Sequence, residues 1–277
     1  LTIFTEVNSA REIFLYSTRY KTLCLRVFML SDKSKACVII PARYESSRFP
    51  GKPLVTLLGK PMILWVAELS ALAVNKEHVY VATDDMRIVD KVREAGFSAL
   101  MTSSDALTGT DRLAEAARML EYDIYVNVQG DEPLVNPSDI RRCIEIKTQY
   151  PNQIVNGYCW MNADEDPANV NVPKIISNEN ERLVYISRAP LPAYKDKKNA
   201  PKQFKKQVCI YGFSRGDLEA FSSFGKKSKL EQAEDIEILR FFEINREVHM
   251  YECTAGSLAV DIPEDVERVE QALRAKA

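Results

Sequence analysis

The sequence predicts an α/β protein: a doubly wound, mainly parallel sheet, followed by a mixed α+β second half. Three observations carry this expectation. Apolar runs such as Ala36–Ile40 read as strands buried on both faces. Helical patterns alternate with these runs at the spacing of parallel crossovers. After Pro151 the alternation stops, and strand-like runs follow one another with little helix between them. In order, Ala36–Ile40 is the first strand, ending at Pro41. A loop rich in Arg, Ser, Pro and Gly runs to about Pro61. Met62–Val74 is a helix, with Ile63, Val66, Leu69 and Ala73 near helical spacing. His78–Thr83 is a strand, and Met86–Ala95 is a helix with an Asp-rich start and Gly96 as its stop. Phe97–Met101 is a strand and Thr110–Leu120 a helix. Ile124–Val128 is a strand, and Pro137–Gln149 is a helix with proline in its first turn. In the second half, Val155–Met161, Val172–Ser177, Arg182–Ser187 and Gln207–Phe213 read as strands. Asp217–Phe224, Glu231–Phe242 and Pro263–Ala275 read as helices. Tyr194–Lys206 is a Lys- and Pro-rich excursion.

Composition bounds the function. The 277 residues carry 37 basic and 39 acidic side chains, a net charge of −2, which disfavours a protein that wraps nucleic acid. Hydrophobic residues at 46% and charged residues at 27% fit a globular chain large enough to bury its own core. No apolar run is long enough to span a bilayer, so no membrane partner is expected. Residues 1–35 read as an N-terminal extension. Its apolar stretch, Leu23–Leu30, is interrupted by Arg26 and makes a poor signal peptide. Met29 is the expected native start, with an accessory helix as the rival. Cys24, Cys37, Cys143, Cys159, Cys209 and Cys253 show no C-x-x-C spacing, which fits reduced, buried thiols in a cytoplasmic protein. His78 and His249 occur singly, so no histidine cluster is expected for a metal or triad. Trp65 and Trp160 are expected in the core.

Three segments carry chemistry. Pro41–Pro53 gathers Arg43, Arg48 and Lys52 within ten residues, at the carboxyl end of a parallel strand. Guanidinium forks and an ammonium there suit a polyphosphate, although a solvated basic loop has the same composition. Gly51 permits close backbone approach, and Pro50 and Pro53 stiffen the turn around Lys52. The loop is neither G-x-x-x-x-G-K-[ST] nor G-x-G-x-x-G, which disfavours ATPase and dinucleotide readings. The second segment, Val126–Pro133, ends a strand and presents Gln129, Asp131 and Glu132. It is either an acidic turn or the hard-oxygen half of a Mg²⁺ site. The third, Ala259–Asp265, places Asp261 at the end of an apolar strand, before a helix that starts at Pro263. Asp261 is therefore either a cap or a second metal ligand. Arg112 stands at a helix start beside hydroxyls, and Glu237 falls on the inward stripe of the Glu231–Phe242 helix. An inward carboxylate is either paired or used.

These segments fall in a familiar order. P-A-R-Y-x-S-S-R-F-P-G-K-P, A-T-D-D, T-G-T-D-R-L, V-N-V-Q-G-D-E-P, S-R-A-P and V-D-I-P-E-D-V-E together resemble the 3-deoxy-manno-octulosonate (Kdo) cytidylyltransferases, or CMP-Kdo synthetases, over about residues 36–274. The resemblance implies a nucleotide-diphospho-sugar transferase-like fold and transfer of CMP from CTP to a sugar-acid hydroxyl. Such transfer serves lipopolysaccharide synthesis and uses Mg²⁺. Arg43, Arg48 and Lys52 would hold the CTP phosphates. Pro41, Ala42, Ser47, Thr83, Asp84, Thr110, Arg112 and Gln129 would complete the CTP site. Asp131 and Asp261 would carry the metal. Gln129, Arg188, Gln207, Tyr211, Glu237 and Ile238 would face the acceptor. Residues 36–150 become the CTP-binding half, and residues 151–277 become the acceptor-binding and dimerisation half of a homodimer.

Departures from that pattern cluster in the second half. Lys206-Gln207 replaces the family's Arg-His, Cys209 replaces a Gly, Ile238 replaces a Gln, and Ser257-Leu258-Ala259 replaces Gly-Thr-Gly. Tyr211 and Glu237 are kept. The resemblance implies Kdo or a Kdo-like acid as acceptor, but losing a His and a Gln removes hydrogen-bond partners for a polyhydroxylated acid, so these departures are expected to alter acceptor choice. A modified octulosonate, another sugar acid or a phosphonate stay open as acceptors. So do a nucleotide-sugar-dependent glycosyltransferase and a CTP-binding protein without turnover. The glycosyltransferase usually carries Asp-x-Asp, and the turn here is Gly130-Asp131-Glu132.

Overall fold

A computed structural model describes residues 35–45, 49–254 and 258–276. Residues 1–34, with Cys24 and the start expected at Met29, lie outside the described residues. So do Ser47 and Arg48 of the cationic loop, and Ser257. From Ala36 onward the chain is one compact unit.

The strands are β1 (Ala36–Ala42), β2 (Thr56–Leu57), β3 (Lys60–Pro61), β4 (Val79–Thr83), β5 (Ser98–Met101), β6 (Ile124–Val128), β7 (Ile154–Trp160), β8 (Lys174–Ser177), β9 (Leu183–Ser187), β10 (Lys205–Phe213) and β11 (Val248–Glu252). Among the described residues nine of them form one sheet, in the order β11-β7-β10-β6-β1-β4-β5, with the β8–β9 hairpin added beside β10. β5, β4, β1 and β6 are parallel neighbours. β10 runs antiparallel between β6 and β7, and β11 is parallel to β7. The sheet is mainly parallel, as expected. Strand order reverses between β1 and β6, and the crevice outside their carboxyl ends is where such sheets bind ligands.

The helices are α1 (Met62–Val74), α2 (Met86–Glu94), α3 (Gly109–Ala117), α4 (Pro137–Gln149), α5 (Arg215–Ser223), α6 (Lys229–Glu234), α7 (Arg240–Glu243) and α8 (Asp265–Lys276). The alternation of β1 shows why both faces of the sheet need cover. Val38 and Ile40 join a core with Ile63 and Val66 of α1 and Ile140 of α4. Cys37 and Ile39 join a second core with Leu113 of α3, Phe221 of α5 and Phe241 of α7. A strand buried on both faces must be apolar throughout, which is the run visible in the sequence. Val269 and Leu273 of α8 close a third, smaller cluster over Leu57, Met62 and Leu134.

Four expectations change. Glu231–Phe242 is not one helix: α6 ends at Glu234, Asp235 takes a left-handed backbone (φ 50°), and a 3₁₀ turn at Glu237–Leu239 leads into α7. Residues 259–261 form no strand; instead Val260 N donates to Asp131 O at 3.0 Å. β11 is an additional strand, because His249 and Glu252 break its apolar run while β7 supplies the pairing. Trp160 is 36% exposed rather than in the core, with the Lys205 ammonium 5.4 Å from its ring. Cys37, Cys143, Cys159 and Cys253 are buried free thiols, and burial pushes Cys143 up to about 12.

One packing contact leaves no room for change. A Cβ on Gly157, in β7 between β10 and β11, would stand 2.6 Å from Cys253 Sγ and 3.3 Å from Val208 Cβ. Gly157→Ala is expected to cost about 1–3 kcal/mol by overpacking, read as a lower midpoint in urea or thermal denaturation. An unchanged midpoint would show that β11 yields freely.

Candidate active site

The reversal between β1 and β6 opens a cavity of about 190 Å³. β1 contributes Pro41 and Ala42, followed by Arg43. The turn after the cationic loop contributes Lys52 and Pro53, and the end of β6 contributes Gln129, Gly130 and Asp131. Thr108, Gly109 and Arg112 line it from the start of α3, and Glu237 and Asp261 close it from the second half. Gly130 lets the two strand ends meet, since a Cβ there would lie 3.0 Å from Pro41 O. Arg43, Lys52, Arg112, Gln129, Asp131, Glu237 and Asp261, far apart in sequence, therefore share one cavity. Pro53, Met62, Ala106, Thr108 and Gly109 join the wall without a chemical signature that would single them out in the sequence.

Lys52 Nζ lies 2.6 Å from Asp131 Oδ2 and 3.6 Å from Asp261 Oδ1. Asp131 is placed by the end of β6. Asp261 is placed by the start of α8, where Asp265 rather than Asp261 accepts the amides of Asp261 and Ile262 at 2.9 and 3.1 Å. Asp265 thus fastens the turn before the helix, and the Asp261 carboxylate lies within reach of Lys52. Two carboxylates that share an ammonium fit a divalent cation. Among the described residues no three His, Cys, Asp or Glu gather as a ready-made metal cluster. A cation here would take two protein carboxylates and complete its shell with phosphate and water oxygens, the pattern of Mg²⁺.

At the start of α3 the helix meets its anion. Glu237 accepts from Gly109 N at 3.0 Å, Thr110 N at 2.8 Å and Thr110 Oγ1 at 2.5 Å. A carboxylate at a helix N-terminus satisfies orphan amides and the macrodipole together. Glu237 reaches that place because α6 breaks. The 3₁₀ turn sends Glu237 to the cavity and Ile238, 1% exposed, into the core. Arg240, one turn on, is fully buried. Its guanidinium meets Asp111 at 2.8 and 3.1 Å and Glu231 at 2.7 Å to each oxygen. Sequence reading did not single out this cluster; its signal was an Arg inside the apolar stretch Ile236–Phe242.

The remaining expected residues lie elsewhere or are already engaged. Arg112 faces the cavity, but its guanidinium holds Asp84 at 2.7 Å and Thr102 Oγ1 at 2.5 Å. Thr83 is buried and accepts from Thr102 through its carbonyl; it does not line the cavity. Thr110 gives its hydroxyl to Glu237. Arg188 is tied to the carbonyls of Glu234, Asp235 and Val170. Gln207 donates to Asn156 Oδ1 and Tyr211 Oη, both at 3.1 Å. Burial holds the Tyr211 hydroxyl well above the usual tyrosine range, so it stays protonated. Arg188, Gln207, Tyr211 and Ile238 therefore stand outside the cavity wall: the first three bond within the second half, and Ile238 fills the core. His78 bonds Tyr122 Oη, and His249 stacks on Tyr150.

Comparison with known proteins shows the family and the fold. A cytidylyltransferase family profile matches residues 37–248. A 3-deoxy-manno-octulosonate cytidylyltransferase of Syntrophobacter fumaroxidans is 42% identical over 244 residues, covering 83% of this chain and 94% of that protein. An 8-amino-3,8-dideoxy-manno-octulosonate cytidylyltransferase of Shewanella oneidensis is 38% identical, covering 85% and 97%. The solved structure of a CMP:2-keto-3-deoxy-manno-octonic acid synthetase complexed with CTP superposes with a TM-score of 0.81 at 36% identity, covering 88% of this chain and all of that one. The chain belongs to the cytidylyltransferase family that includes the 3-deoxy-manno-octulosonate and 8-amino-3,8-dideoxy-manno-octulosonate cytidylyltransferases.

Proposed function

We propose that this protein transfers CMP from CTP to a hydroxyl of Kdo or a Kdo-like acid and releases pyrophosphate. One observation carries the reading: Lys52, Asp131 and Asp261 meet beside Arg43 in the crevice of the β1/β6 reversal. In the reaction the acceptor hydroxyl gives up its proton and its oxygen forms a bond to the α-phosphorus as the bond to the pyrophosphate oxygen breaks. Such transfer depends on positioning and charge stabilisation, so it requires no nucleophile–base triad among the lining residues. Arg43 and Lys52, with Arg48, neutralise the phosphates. Asp131 and Asp261 would hold Mg²⁺, which when bound would offset the charge developing on the phosphate oxygens. Glu237 presents its carboxylate to the acceptor side, while Gln129 stands between the nucleotide and the acceptor.

The two relatives are named for acceptors that differ at one substituent, a hydroxyl against an amine, and both are candidates here. No helix among the described residues is long and apolar enough to cross a membrane. We further assign the protein to the cytoplasm and to lipopolysaccharide synthesis, as a homodimer joined through residues 151–277; sizing by light scattering checks the last point. The decisive assay incubates the protein with CTP, Mg²⁺ and a panel of acids and follows pyrophosphate. Release with Kdo or its 8-amino analogue is expected to exceed that with unrelated sugar acids at least about tenfold, as hydrogen-bonded discrimination allows. Equal rates for all acids would refute the acceptor, and release of nucleoside diphosphate instead would refute the transfer class.

A further inference from the structure

Lys52 stands where two ligands compete for it. Its ammonium lies 2.6 Å from Asp131 Oδ2 and 3.6 Å from Asp261 Oδ1, and it lines the same cavity as Arg43. A divalent cation held by both carboxylates needs those oxygens, and two cations within a few ångströms of each other repel strongly in a half-buried site. Lys52 opens a short 3₁₀ turn, with Gly51 before it at φ 70° and Pro53 after it. The backbone there is fixed, so the flexible four-carbon side chain is the part that can move.

We propose that Lys52 couples the two ligands: its ammonium gives up the carboxylates when a divalent cation binds and moves to the triphosphate. Metal and triphosphate then favour each other reciprocally, because each relieves a cost that the other would meet alone. The inference rests on the CTP-dependent reading above and adds a linkage that this reading does not require. It also gives Lys52 two successive partners rather than one.

The test measures Mn²⁺ binding by counting free ion in electron paramagnetic resonance, on wild type and Lys52→Met, without CTP and with CTP at saturation for each protein, with chelation by CTP subtracted. Without CTP the variant is expected to bind Mn²⁺ about tenfold more tightly, a coupling of ordinary size. With CTP the advantage is expected to shrink below about twofold, since the wild-type ammonium has already left. No gain without CTP overturns the proposal. A gain that persists undiminished with CTP also overturns it, since that is the field of an ammonium that never moves. A wild-type measurement needs no variant. Mn²⁺ alone should raise the rate at which Lys52 Nζ reacts with an amine-labelling reagent, read by mass spectrometry, and added CTP should lower it. An unchanged labelling rate overturns the linkage alone, whereas wild-type protein that binds no CTP overturns the functional reading with it.

Discussion

Asp131→Ala is expected to lower kcat for pyrophosphate release by about 10³-fold, the scale of losing a group that stabilises transition-state charge. The structure gives the reason. Asp131 sits at the end of β6, and the contact from Val260 N to its carbonyl ties the Asp261 segment to it. Its carboxylate takes the closer of the two Lys52 contacts. Removing it takes away half of the protein's share of the proposed divalent site and leaves Lys52 with Asp261. Asp261→Ala should act in the same direction with a smaller loss, because Asp261 is 47% exposed against 26% for Asp131 and water can more readily replace it. The fold should survive both changes. Partly exposed ion pairs contribute about 0–1 kcal/mol, so the melting temperature should move by no more than a few degrees. Steady-state pyrophosphate release and a circular-dichroism melt on each variant check this. A variant with near-normal rate would take that residue out of the metal site, and a large drop in melting temperature would make its role structural.

The parts of this site that a reader of the sequence can see are those whose signal is local. β1 is buried on both faces and therefore apolar without interruption, and the cations that follow it fall within one loop. Asp131 comes three residues after β6 ends, so its position at the mouth of the sheet is implied by the strand itself. The second half was harder to read because its signals are long-range. Glu231–Phe242 has genuine helical periodicity, yet Asp235 turns left-handed and the helix breaks. What holds the broken form is Arg240, paired with Asp111 from 129 residues earlier in the chain. No window around residue 237 contains that partner. The same break explains why Glu237 reaches the cavity and Ile238 does not, a division that helical spacing alone cannot make. Trp160 is misplaced for a similar reason: an apolar ring is expected inside, but Lys205 from a neighbouring strand covers it at the surface.

Arg240→Met is the substitution expected to cost the most stability. The guanidinium is 0% exposed and makes four contacts of 2.7–3.1 Å, two to Glu231 and two to Asp111, while lying 3.7 Å over the Phe221 ring. Methionine fills much of the space but leaves two carboxylates without their cation, and breaking a buried ion cluster in this way costs about 3–5 kcal/mol. That is a large part of the roughly 5–15 kcal/mol that holds a domain together, and at this chain length it corresponds to a fall of about 6–20 °C in melting temperature. Part of the effect should reach the site. Arg240 clamps the 3₁₀ turn to the first turn of α3 through Asp111, next to the Gly109 and Thr110 amides that Glu237 caps. Loosening that clamp should raise KM for the acid acceptor more than KM for CTP, whose phosphates the proposed function assigns to Arg43 and Lys52. The triple change Asp111→Asn, Glu231→Gln, Arg240→Met removes the stranded charges, and it is expected to recover most of the lost stability, because the main penalty lies in unpaired buried charge rather than in the missing contacts. Thermal melts of the single and triple variants, with KM for both substrates, separate these effects. A single variant that melts within about 2 °C of wild type, less than 1 kcal/mol on this scale, would mean that water reaches Glu231 and Asp111 and that the cluster is not what fixes Glu237 in place.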